Sequence, residues 1–221
     1  MEELKTLSMD FLKNIKIMDS AEVEEHEKRV DEYERRERLE RINTFHKHCG
    51  LDSEFYGAVI DYEKYSNETK NSLRAFCKNV REGKGGFLIL NGSVGTGKTS
   101  AAAAVMNELL MGTYLDMLEL ELKLNTADRY NTSSMNREQY MHSLASCRLL
   151  VLDEVGRFPE RKMFEQPILF YLLNRRYQNK RPTVICTNMS SKEFADFMGQ
   201  AIIDRIRSNR IRIELNGKSL R

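Results

Sequence analysis

Gly92-Ser93-Val94-Gly95-Thr96-Gly97-Lys98-Thr99-Ser100 brings together residue types that hold a phosphate. Glycines at Gly92, Gly95 and Gly97 let the backbone curl until successive N–H groups face one anion, with no Cβ in the way. Lys98 supplies a point charge for the β- and γ-phosphates, and the Thr99 hydroxyl is placed to ligate Mg²⁺. A second constellation is Leu149-Leu150-Val151-Leu152-Asp153-Glu154, an aliphatic run ending in adjacent acids. Asp153 suits the hydration shell of the metal, while Glu154 suits orienting or deprotonating an attacking water. That division favours ATP hydrolysis over phosphorylation of a small molecule, where a water-activating glutamate is not wanted. Asn188 closes Thr183-Val184-Ile185-Cys186-Thr187-Asn188 and is expected beside the acids, within reach of the γ-phosphate or the lytic water. Asparagine after a strand also serves as a plain turn former.

These residues need elements to hold them. Residues 87–90 read as a buried strand and 101–105 as a strong helix former, so the glycine stretch joins strand to helix. The positive end of that helix then faces the phosphates. Upstream, the spacing predicts a helix over 66–82, capped near Ser66 or Asn67, with Leu73, Phe76, Cys77 and Val80 inward. Downstream, the phosphate-loop helix is expected to reach about Met111 and end at Gly112, with a strand over 113–118. Two helices around a polar loop (125–136) lead to a strand over 148–153, from whose carboxyl end the acids emerge. A helix over 161–178, a strand over 182–187, one helical segment over 191–207 and a last strand near 211–214 complete the pattern. Strands alternating with helices imply an α/β fold, a mostly parallel sheet flanked by helices on both faces. In the last helical segment Ile202, Ile203 and Ile206 face inward and Arg205 outward.

The first 49 residues follow other rules. Leu4, Leu7, Phe11, Leu12, Ile15 and Met18 line one face of an amphipathic helix over 1–18, which either folds back or docks on another protein. Residues 21–45 form a highly charged helix, with Glu24/Lys28, Glu25/Arg29, Glu34/Arg38 and Glu37/Arg41 in the favourable acid-first order. A solvated arm or short coiled coil is expected. His46-Lys47-His48-Cys49 reads as a hinge; the rival reading is zinc, for which Cys77 is the other nearby ligand. The organisation is thus a helical partner-binding arm over 1–49 and one α/β domain over 50–221.

Composition agrees with a soluble protein: 221 residues, 41% hydrophobic, 31% charged, formal charge +2. The charge is uneven. Residues 157–221 hold 14 Lys and Arg against 6 Asp and Glu, whereas residues 1–50 hold 10 against 13. A basic C-terminal third suits the phosphates of a nucleotide or of nucleic acid, or is merely a solvated surface. No stretch is apolar for long enough to span a bilayer, and the N-terminus lacks a signal-peptide layout. Four scattered cysteines read as reduced thiols of a cytoplasmic protein.

With these pieces in order, the chain resembles the DnaC-type replicative-helicase loaders and the related IstB-type transposition ATPases of the AAA+ superfamily. The resemblance covers roughly residues 50–215 and rests on the segments 92–99 and 149–156, on Arg181-Pro182-Thr183 leading to Thr187-Asn188, and on Ala201-Ile202-Ile203-Asp204-Arg205. The approach Cys49-Gly50-Leu51-Asp52-Ser53-Glu54-Phe55 is also similar. The resemblance implies that Asn188 is the sensor-1 residue and that Arg205 is an arginine finger acting in trans on a neighbouring copy. It further implies that Lys123, Arg129 and Tyr130 lie in a segment facing single-stranded DNA. Loaders often carry a further arginine where this chain has Ala201, so no second arginine role is carried over. The function expected is an ATP-dependent loader of a DnaB-type hexameric helicase, gripped by the N-terminal arm, with ATP hydrolysis driving release. The alternatives are an ATPase helper of a DNA transposase and an adaptor that senses ATP with little turnover.

Overall fold

The computed structural model describes residues 20–129 and 136–215. The amphipathic helix expected over 1–18 and Tyr130 lie outside the described residues. The chain divides into one unit up to Asn43 and a second from Thr44 onward. The described residues of the first unit belong to helix α1 (Ser20–His48), whose last residues fall in the second. Its side chains from Glu32 to Arg41 are all exposed, Tyr33 and Leu39 among them. Arg36 reaches Glu40 at 3.4 Å, while the expected Glu34/Arg38 and Glu37/Arg41 pairs do not form. Solvation of long side chains leaves such exposed pairs little to gain.

In the second unit, His46-Lys47-His48 make the last turn of α1 and are held there. The reason is packing: the His46 ring stacks on Tyr56 with centroids 3.9 Å apart and its Nε2 meets Asn107 Oδ1 at 3.0 Å. Cys49 is buried in the core beside it. Among the described residues no group of three or more His, Cys, Asp or Glu gathers as a metal would require.

Among the described residues five strands form one parallel sheet: β1 (Phe87–Asn91), β2 (Thr113–Asp116), β3 (Leu150–Val155), β4 (Thr183–Thr187) and β5 (Arg210–Glu214). Their order is β2-β3-β4-β1-β5. Side chains alternate across a strand, and here both faces are covered. Leu88, Leu90, Val151, Val184, Cys186 and Ile213 point into one layer, with α2 (Asn67–Arg81) and α3 (Lys98–Leu109). Phe87, Ile89, Leu150, Leu152 and Ile185 point into the other. That layer is closed by α4 (Met117–Arg129), α5 (Arg137–Ser146), α6 (Lys162–Gln178), α7 (Ser191–Met198) and α8 (Gln200–Arg207). Burial on both sides is why the strands read as continuous apolar runs.

Element ends follow local chemistry. Ser66 Oγ accepts the Thr69 N–H at 3.1 Å and starts α2 where the sequence suggests. α3 stops at Leu109, earlier than expected, because Leu110 turns left-handed (φ 47°) and donates its N–H to Met106 O. β2 ends at Asp116 and not at 118, since Asp116 Oδ1 accepts the Glu119 N–H at 2.7 Å and launches α4. The single helix expected over 191–207 is two helices, broken at Gly199 (φ 78°). Aspartate and glycine at these positions each offer a stop that hydrophobic spacing alone does not register.

Candidate active site

The phosphate loop leaves β1 after Asn91, whose carbonyl accepts the Leu215 N–H at 2.8 Å. That close approach fixes the residue type at Gly92, where a Cβ would lie 2.4 Å from Leu215 O. Gly97 caps α3 in the left-handed region (φ 89°), and Tyr65 OH donates to its carbonyl at 3.2 Å. Thr96 Oγ1 ties the loop internally by donating to Ser93 O at 2.9 Å, while Val94 stands exposed at its crest. Lys98, in the first turn of α3, curls back so that Nζ donates to Gly92 O (2.9 Å) and Ser93 O (2.8 Å). Burial pushes its pKa down, while Cys186, Asp153 and Glu154 draw it back up. Ser100 follows within the same helix, half-buried.

Next to Lys98, Thr99 Oγ1 donates to Asp153 Oδ2 at 2.7 Å. Asp153 is 3% exposed and accepts on both oxygens: Tyr114 OH also reaches Oδ2, at 2.8 Å, and the Glu154 N–H reaches Oδ1, at 2.7 Å. Burial, and then the charge of Asp153, pushes the Tyr114 phenol far above its ordinary pKa, so it remains a donor. The phosphate loop and the acid strand, separate in sequence, thus meet through a hydroxyl and a carboxylate.

The strand does not stop at Asp153 as expected; it runs on to Val155, with a register irregularity against β4 between Leu152 and Val155. Inside that irregularity Glu154 has φ 56°, a left-handed backbone that side chains other than glycine adopt at a cost of about 1–3 kcal/mol. A bulge of this kind re-aims a side chain. The half-exposed Glu154 carboxylate meets the Arg157 guanidinium, which in turn lies over the Phe158 ring at 5.2 Å. Thr187 Oγ1 pins the bulge by donating to Val155 O at 2.8 Å.

Asn188 is the first residue beyond β4, exposed and without a side-chain hydrogen bond among the described residues. Because β4 lies between β1 and β3, it stands at the same carboxyl edge as the loop and the acids. Arg205 is not joined to that group by any described hydrogen bond or ion pair. It lies on α8 over the Phe170 ring at 5.8 Å and donates to Ala201 O. Lys123 is on α4 and paired with Glu119 at 2.7 Å. Tyr65, Tyr114 and Arg157 were invisible to motif reading. For Tyr114 a signal existed, since a tyrosine on a strand beside the acid strand can reach across one ladder step.

A parallel sheet in this order, with the phosphate loop on β1 and the acid pair on β3, is the α/β core of a P-loop fold. The chain belongs to the family of IstB-like ATP binding proteins, whose family model matches residues 6–221. It is 30% identical over 190 residues to the replicative helicase loader DnaC of Escherichia coli strain K12, covering 83% of this chain and 73% of that protein. The crystal structure of the DnaC helicase loader superposes with a TM-score of 0.63 at 22% identity, covering 75% of this chain and 100% of that one. The crystal structure of DnaI gives a TM-score of 0.59 at 25% identity, covering 77% and 94%. Among the described residues no helix is long and apolar enough to cross a membrane.

Proposed function

We propose that this chain is an Mg²⁺-dependent ATPase that loads a DnaB-type hexameric replicative helicase onto single-stranded DNA, with hydrolysis driving release. The observation that carries the reading is the 2.7 Å hydrogen bond from Thr99 to Asp153, which sets a hydroxyl and a carboxylate side by side at the foot of a phosphate loop. Neighbouring hard oxygens of this kind are the donor set Mg²⁺ takes, and the cradle at Gly92 has no room for a Cβ. Gly92, Ser93, Val94, Gly95, Thr96, Gly97, Lys98, Thr99 and Ser100 would hold the phosphates of ATP, and Thr99 with Asp153 would hold the metal. ATP and Mg²⁺, when bound, supply an electrophilic γ-phosphoryl group. Lys98 offers its ammonium to the phosphate oxygens in place of the carbonyls of Gly92 and Ser93. Glu154 takes the proton from the attacking water, and Asn188 orients that water or the γ-phosphate. Arg205 leaves Phe170 to reach the site of a neighbouring copy, supporting self-association.

The identity to a protein named as a helicase loader supports the partner, and the solvated helix α1 supports an N-terminal arm over residues 1–49 that grips it. All four cysteines stand as free thiols, which supports a reducing, cytoplasmic setting. The family match supports a second reading on the same core, an ATPase helper of a DNA transposase. Gel filtration with purified hexameric helicase or with a transposase separates the two. Full-length chain should co-elute with helicase, and deletion of residues 1–18 should abolish co-elution while ATP binding persists. Co-elution of the truncated chain would remove the arm, and co-elution with transposase alone would replace the loader reading.

A further inference from the structure

All strands of the sheet run the same way, so the ends away from the phosphate loop form a single edge. The register sets Leu150, Thr183, Phe87 and Arg210 in one row along it. On or just ahead of that row stand Arg148 before β3, Lys180 and Arg181 before β4, Lys84 before β1, and Arg207 and Arg210 at β5, all exposed. Lys84 pairs with Glu82 at 2.6 Å, and Glu82 also faces Lys78 at 3.9 Å. Arg148, Lys180, Arg181, Arg207 and Arg210 form no ion pair among the described residues. Within the row opens a groove of about 320 Å³, walled by Lys84, Lys180, Arg181, Tyr177 and Asn209 and by no carboxylate. Like charges gathered on one edge repel one another unless an anion sits among them. Lys123, by contrast, is already engaged by Glu119 at 2.7 Å.

We propose that this edge binds the phosphodiester backbone of single-stranded nucleic acid, with a base stacked on Tyr177. The inference rests on the reading that the chain holds single-stranded DNA and adds where, on the side of the sheet away from Lys98 and Asp153. Strands about 4.8 Å apart make the span from β3 to β5 about 14 Å. Guanidinium forks match phosphate oxygens in pairs, and the Tyr177 ring, 40% exposed at the groove, offers a face that any base can use.

The test is fluorescence anisotropy of a labelled oligothymidine with the full chain, titrated across salt concentrations. The double variant Lys180→Ala with Arg181→Ala should bind at least tenfold more weakly and flatten the slope of log K against log salt by about 1.4, two phosphates' worth. Tyr177→Ala should weaken binding about tenfold and leave the slope unchanged. Nucleotide binding and melting temperature should match wild type in these variants, and Lys123→Ala should bind DNA normally. Wild-type affinity and slope in the double variant would overturn the edge, and loss confined to Lys123→Ala would overturn it while sparing the DNA reading. A wild-type chain that binds no oligothymidine at any salt would sink both. A glutamate polymer of equal charge that competes as tightly would overturn the nucleic-acid assignment.

Discussion

Asp153 accepts two hydroxyls on one oxygen and a backbone N–H on the other, and each donor has a different consequence. Thr99 belongs to the proposed nucleotide site, whereas Tyr114 holds the carboxylate from the neighbouring strand. A hydrogen bond to a buried charge contributes about 1.5–3 kcal/mol. Tyr114→Phe leaves Asp153 with its other donors and should therefore lower the melting temperature by about 3–6 °C, read by thermal unfolding. An unchanged melting temperature would show that the phenol contributes nothing there. Glu154 stands differently, on strained backbone and paired with Arg157. Glu154→Gln should keep ATP affinity and slow turnover about 10²–10⁴-fold in a phosphate-release assay. Undiminished turnover would remove Glu154 as the group that activates water.

The same contrast holds among elements. Strand β1, the phosphate loop and α3 were legible because Gly92, Gly97, Lys98 and the aliphatic run have few other uses in that order. Asp153 and Glu154 were legible as types, but the bulge that gives Glu154 its direction was not, because it arises from pairing with β4. Arg176 is the sharper case. Next to Arg175 it reads as helix surface, yet it is fully buried and donates to Leu144 O (2.7 Å), Cys147 O (3.0 Å), Pro182 O (2.6 Å) and Thr183 Oγ1 (2.8 Å). It thereby ties α5, α6 and the start of β4 together with no carboxylate partner. Only the folded arrangement of those carbonyls makes a buried guanidinium tolerable. Arg176→Leu strands the acceptors and should cost about 3–5 kcal/mol in urea-induced unfolding. A loss under about 1 kcal/mol would mean that the carbonyls find other donors.

At the scale of the whole molecule, a parallel sheet has two unlike edges. The carboxyl edge carries the phosphate loop, the acids and Asn188; the amino edge carries Arg148, Lys180, Arg181, Arg207 and Arg210, which form no ion pair among the described residues. The proposed ATPase and the proposed DNA contact occupy opposite ends of the same strands, and the proposed arm over residues 1–49 would serve a protein partner. All of it depends on a triphosphate seated between Lys98 and Asp153. Calorimetric titration of ATP with Mg²⁺ into the full chain and into Lys98→Ala tests that seat directly. The wild-type chain should bind, and the variant should bind about a hundredfold more weakly or not at all, as befits the loss of one buried charge partner. Equal affinity in the two proteins would contradict the site, and the ATPase and loader readings with it.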